Sequence, residues 1–244
     1  MLRTLLIYGL LAGLCGGLHG AGFAKIVGDP PLDAAIAWEA TQPAGGGEHP
    51  ETVSRAVQST IGLATGAAVY GVALGGLFAL VFAGAYGRIS KAGPVRVAIG
   101  LAAAAFVVIY LVPFVKYPPN PPGIGDPATI GDRTALYFGM VAISVLAAIA
   151  AVRVRFGLVA RLGGDVSTLC AVGTFVGVVV VAALVMPGVS EVPATFPAQT
   201  LWSFRLASIG VALVMWTTIG LVFAAAATRA IERPHRARVA ARAV

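Results

Sequence analysis

The run AVQSTIGLATGAAVYGVALGGLFALVFAGAYG, residues 56–87, has no Lys, Arg, Asp or Glu over 32 positions. A helix needs about 20 apolar residues to cross the hydrocarbon core of a bilayer, and within one segment only a helix satisfies its own backbone groups there. Charges at mid-bilayer are expensive, so long charge-free runs mark candidate crossings. Five more runs qualify: 4–24, 97–115, 134–152, 166–190 and 206–228. The next longest, 192–204, is interrupted by Pro193 and Pro197. The pattern predicts an all-α integral membrane protein built as a bundle of about six transmembrane helices. These lie near 4–26, 60–86, 96–115, 134–152, 166–187 and 204–228, in a single transmembrane domain over 1–230 followed by a basic tail over 231–244. The first run also admits a signal-peptide reading behind Arg3, and cleavage would then leave five helices. Its 21 residues exceed the usual apolar stretch of about 7–15, and we read it as a retained helix.

Composition agrees. Of 244 residues, 58% are hydrophobic and 11% charged, with a mean hydropathy of +0.90. Ordinary soluble domains carry about 25% charged residues. A soluble globular enzyme is excluded, as are disordered and fibrous chains. Two cysteines are too few for a disulfide scaffold or a cysteine-rich metal domain.

Lys and Arg set the orientation. Arg3, the segments 88–96 and 153–165, and the C-terminal segment 229–244 together hold 12 of the 17 basic residues but only 2 of the 10 acids. The alternate segments hold 5 basic residues and 8 acids. Both termini are therefore predicted to be cytoplasmic. The pI near 9.9 reflects this asymmetry, with no nucleic-acid footprint. The outer segments also collect 12 of the 15 prolines, most densely in KYPPNPPGIGDP, 116–127, which reads as a semi-rigid loop.

Small residues recur at four-residue spacing: Gly9, Gly13 and Gly17; Gly62 and Gly66; Gly71 and Gly75; Gly173 and Gly177. In lipid, such faces let helix backbones approach closely. A rarer use, local unwinding around an ion as in broken transporter helices, would fall on Gly16, Gly17 and Gly20.

No phosphate-binding loop, HExxH or Gly-x-Ser-x-Gly motif is present, and the chain is expected to be no enzyme and to hold no cofactor. The most informative ionisable residue is His19, within the first run, with Cys15 one turn earlier on the same face. Imidazole and thiolate suit borderline divalent metals. Hydrogen bonding to a neighbouring helix and simple packing are the alternatives for this pair. A second set of metal candidates is outer: Asp29, Asp33, Glu39 and His49 with Glu48 and Glu51 in the first loop, then Asp126, Asp132 and Glu191 in the others. A negative mouth concentrates divalent cations, while carboxylates alone favour magnesium or calcium, so selectivity calls for a nitrogen or sulfur donor.

Three stretches carry a family resemblance. VSRAVQ (53–58) running into VYGVALGGLF (69–78), KYPPNPP (116–122) with Gly125-Asp-Pro127 and 129–137, and LWSFRLAS (201–208) resemble the CbtA family of probable cobalt transporter subunits. The resemblance implies a membrane subunit for Co²⁺ uptake serving cobalamin synthesis. It also implies a small companion, CbtB, with one helix and a histidine-rich end. The rival expectation is a non-conducting scaffold or assembly partner of another transporter, consistent with sparse intramembrane polarity and abundant glycine faces.

Overall fold

The computed structural model describes residues 1–42, 53–88 and 92–242, with side chains described to Ile231. It is helical throughout, with no β-strand among the described residues. Five helical runs are long and apolar enough to cross a membrane: α1 (Leu2–Glu39), α2 (Arg55–Ala85), α3 (Pro94–Lys116), α4 (Pro127–Val185) and α5 (Ala198–Ile231). The helix of α5 persists to Arg242.

The count of five differs from the six charge-free runs because α4 contains two of them. Its helical segment, Ile130–Val185, is broken at Gly163, where φ is 78° and ψ 174°. That left-handed backbone is open to glycine and strained for any other residue. The element is therefore two arms, 130–162 and 164–185, turning at one glycine.

Helix α1 also runs further than its charge-free stretch. At Ala24–Gly28 the backbone widens into a π turn, and Asp29–Glu39 continues as α-helix. Pro30 and Pro31 fall in the first turn of that continuation, where a missing N–H is tolerated. Similar π turns occur at Gln58–Gly62 in α2 and Phe106–Leu111 in α3.

The chain forms two compact units, residues 1–105 with 202–244, and residues 106–201. In the first, α1 is gripped on two faces. A β-carbon placed on Gly9, Gly13 or Gly17 would overlap the carbonyl oxygen of Gly75, Gly71 or Ala67 of α2. One on Gly16 would lie 2.7 Å from Ile219 Cγ1 of α5. The glycines thus bring backbones together, as small residues do in lipid. Gly16, Gly17 and Gly20 sit in regular α-helix, and the widened turn lies further along, past Phe23. Between α2 and α5, Phe78 and Phe82 meet Phe223 edge-on at 5.1 and 4.9 Å. This edge-to-face arrangement suits the ring quadrupoles.

In the second unit, the two arms of α4 pack with the later part of α3. Phe106, Tyr110 and Phe114 stack along α3 at 6.0 and 5.7 Å. A β-carbon on Gly173 or Gly177 would meet nothing within 4 Å, so among the described residues of this unit the small-residue pair makes no close backbone approach.

Candidate metal-handling site

His19 is carried on the regular part of α1 and is exposed, whereas Cys15 is half-buried. The side chains do not meet through the thiol. His19 Nδ1 lies 2.8 Å from the backbone oxygen of Cys15. A carbonyl only accepts, so Nδ1–H is the donor in this contact, and in a neutral ring the lone pair then sits on Nε2. Histidine ligands to metals are commonly oriented in this way, by a carbonyl that accepts from the other ring nitrogen.

Further along α1, the π turn presents Lys25. Its Nζ donates to Asp29 Oδ2 at 2.6 Å and to Ser59 Oγ at 3.1 Å. Arg55, at the start of α2, donates through Nη2 to Asp33 Oδ1 at 3.0 Å and stands 3.7 Å from Asp29 Oδ1. Two cations and two carboxylates thus neutralise one another and tie α1 to α2. Asp29 is the enclosed member, its side chain 15% exposed against 63% for Asp33. Exposed pairs of this kind add about 0–1 kcal/mol each, so they fix geometry more than stability. A divalent ion reaching Asp29 has to displace an ammonium and a guanidinium.

Glu39 is half-buried at the end of α1, and Asp132 is exposed early in α4; neither makes an ion pair among the described residues. His49, Glu48 and Glu51 lie outside the described residues.

In the second unit, Glu191 serves as an acceptor hub. Its Oε1 accepts from Thr129 Oγ1 at 2.7 Å, its Oε2 from the backbone N–H of Asp126 at 3.1 Å, and Arg133 Nε stands 3.2 Å from Oε2. Arg133 Nη2 also donates to the Asp126 carbonyl at 3.1 Å. The Asp126 side chain caps the short turn Pro127–Thr129, accepting from Ala128 N at 2.8 Å. Tyr117 donates its hydroxyl to the Pro187 carbonyl at 2.8 Å. Burial raises its phenol above the ordinary value, which keeps that proton in place. The proline-rich loop is thus fastened to the segment after Val185 from both ends, with Pro121 and Ile124 buried beneath. Both Glu191 oxygens are occupied by protein donors, so this residue is less available to a cation than its charge suggests.

Among the described residues no three His, Cys, Asp or Glu side chains converge as a metal cluster. The structure groups Asp29 with Asp33, joins the backbone of Asp126 to Glu191, and among the described residues sets His19 against the Cys15 backbone. Charge counting overlooked Lys25, Arg55 and Arg133 as partners of these acids. The spacing of Lys25 and Asp29, four apart on one helix, is the signal that was present.

Five long apolar helical runs, with many large hydrophobic side chains exposed, define a multi-pass membrane protein of the plasma membrane. The sequence profile of CbtA, described as "Probable cobalt transporter subunit (CbtA)", matches residues 2–228. The chain belongs to this family and is a transporter subunit. No curated protein and no solved structure matches it.

Proposed function

We propose that the chain conducts Co²⁺ from the outside into the cytoplasm, in support of cobalamin synthesis. A hydrated divalent ion enters a protein path only by exchanging waters for ligands. The observation that carries the reading is His19: an imidazole on a membrane-crossing helix, with Nδ1 engaged by a carbonyl and Nε2 left as a donor suited to a late first-row metal. In this reading Cys15 holds the ring. Asp29, Asp33, Glu39, His49, Asp126, Asp132 and Glu191 make the outer segments attractive to cations. Asp29 then binds transiently, by exchange with Lys25 and Arg55.

The arms of α4 are taken as two crossings, which gives six in one transmembrane domain over 1–230 and leaves both termini and the tail over 231–244 in the cytoplasm. One imidazole falls short of the roughly four ligands such an ion takes. A CbtB-like companion with clustered imidazoles would supply the remainder.

A scaffold reading draws on a different observation, the mutual neutralisation of Lys25, Asp29, Asp33 and Arg55. Liposomes holding the purified chain, with and without the companion, separate the two. Co²⁺ influx in either preparation supports conduction, and none in both favours the scaffold. In cells, His19→Ala should depress cobalt accumulation at unchanged membrane abundance. Undiminished accumulation removes His19 from the path.

A further inference from the structure

The two arms of α4 form a hairpin whose register is fixed by three relationships. A β-carbon on Gly139 would lie 3.7 Å from Met186 Cε. Ile143 lines an apolar groove with Ala182. Arg155 Nε donates to Thr168 Oγ1 at 3.1 Å. The arms therefore run antiparallel about Gly163.

The first arm, 130–162, is about 50 Å long at 1.5 Å per residue, against about 30 Å of hydrocarbon core. Its beginning is held at an aqueous boundary by Asp132 and by Arg133, which is paired with Glu191. The excess length consequently falls at the Gly163 end. Past Val152 the next residue is Arg153, and the helix continues for about 15 Å more. The interfacial layer of one leaflet is only about 5–8 Å thick, so residues near 159–166 stand clear of lipid in water.

That tip is apolar where water should meet it. Val159, Leu162 and Val166 are between 37% and 47% exposed there, with Phe156 and Leu169 exposed one turn deeper, at the level of the interfacial layer. Arg153 and Arg161 are exposed among them, Arg155 is half-buried, and Asp165 is the one acid in this turn. Contiguous apolar surface facing lipid needs no cover, but in water it marks a contact site. The surplus of arginines selects what covers it. A second copy brought tip to tip would oppose like charges, whereas a helix with an apolar face edged by carboxylates complements both features.

We propose that the Gly163 hairpin tip is the docking surface for a separate protein presenting such an acidic-edged apolar helix on the side of the membrane where the basic segments lie. The inference rests on both arms of α4 crossing the bilayer and is independent of which ion is carried.

The test uses the full chain with Cys15→Ser and Cys170→Ser, to which Val159→Cys, Val166→Cys or, as a lipid-facing control, Leu146→Cys is added. Each is labelled with a membrane-impermeant maleimide in inside-out native vesicles and as purified protein in lipid nanodiscs. The expected result is slow labelling of positions 159 and 166 in native vesicles and several-fold faster labelling in nanodiscs. Adding Arg153→Glu and Arg161→Glu should restore fast labelling in native vesicles. Equal, fast labelling in both preparations overturns the proposal, because nothing covers the tip. Slow labelling in both places the tip in lipid and also overturns it. Protection that appears in liposomes of the purified chain as its density rises assigns the surface to a second copy instead. Cobalt accumulation by the same variants is followed in parallel: lost protection with normal accumulation, or the reverse, tells failure of docking from failure of transport.

Discussion

The Nδ1 of His19 is 2.8 Å from the carbonyl oxygen of Cys15, one helical turn back. The interaction uses the backbone of Cys15 and leaves its thiol free. It follows that the orientation of the imidazole is indifferent to what residue 15 carries beyond its β-carbon. Cys15→Ala should leave cobalt accumulation within about twofold of the parent, while His19→Gln, which keeps polarity but lacks an imidazole donor, should lower it by about tenfold or more if one metal–ligand bond is lost. Radioactive cobalt uptake in cells matched for membrane abundance measures both. An equal loss in the two variants would point to the thiol as a ligand.

Two glycine pairs of identical spacing have opposite surroundings. A methyl group on Gly13 has no room against the Gly71 carbonyl, whereas on Gly173 it meets open space. Gly13→Ala should therefore destabilise the α1–α2 contact by about 1–3 kcal/mol through overpacking. Gly173→Ala should be neutral or slightly stabilising, since alanine is favoured over glycine in helices by up to about 1 kcal/mol. Thermal unfolding in detergent, read as the retained monomer fraction, distinguishes them.

Glu191 accepts two hydrogen bonds from the proline-rich loop and the start of α4 and forms an ion pair with Arg133. Glu191→Ala leaves the Asp126 N–H without its acceptor, while the Thr129 hydroxyl keeps the Asp126 carbonyl at 3.0 Å. These groups are partly exposed and water will replace some of the loss, so the expected cost is about 1–2 kcal/mol, local to the loop. Faster hydrogen exchange over residues 123–129 with little change in global melting is the outcome to look for. Exchange unchanged across the loop would mean that buried Pro121 and Ile124 hold it unaided.

Removing a resident cation should make the first carboxylate cluster more receptive to a mobile one. Lys25→Gln leaves Asp29 with Arg55 at 3.7 Å as its remaining cation. The concentration of Co²⁺ giving half-maximal uptake should fall by a few-fold, with the effect shrinking at high salt as screening grows. A rise in that concentration would mean that Lys25 organises the site instead of competing for it.

Sidedness has its own test. Asp132→Cys in a background without Cys15 and Cys170 should react with an impermeant maleimide in intact cells, and a cysteine added at either terminus should not. Reaction at a terminus in intact cells would reverse the orientation.

Much of this arrangement was legible beforehand, for reasons that differ by residue. The crossings near 60–86 and 206–228 stand out because each residue's preference for lipid or water adds along the chain without reference to any partner. The close approach of Gly9, Gly13 and Gly17 to α2 was foreseeable as packing, since small residues at that spacing have one common use in lipid. The fates of Asp29 and Glu191 were not legible. Both counted as outward negative charge, yet each is met by basic groups that lie on the same side. A charge tally sums these groups and is blind to which pairs touch. Nor did the runs 134–152 and 166–190 announce that helix would persist through 153–162, because a charged segment between two crossings reads equally well as loop.

The linear order of residues determined that this chain lives in a bilayer and roughly where it crosses, because transfer free energies are local and nearly additive. Only the tertiary structure decided that Lys25 meets Ser59, that Glu191 meets Asp126 and that Tyr117 meets Pro187, pairs separated by 34, 65 and 70 positions. Such contacts depend on helix register and on where the backbone widens or breaks, as at Ala24–Gly28 and Gly163, and neither is encoded in the hydropathy of any one segment.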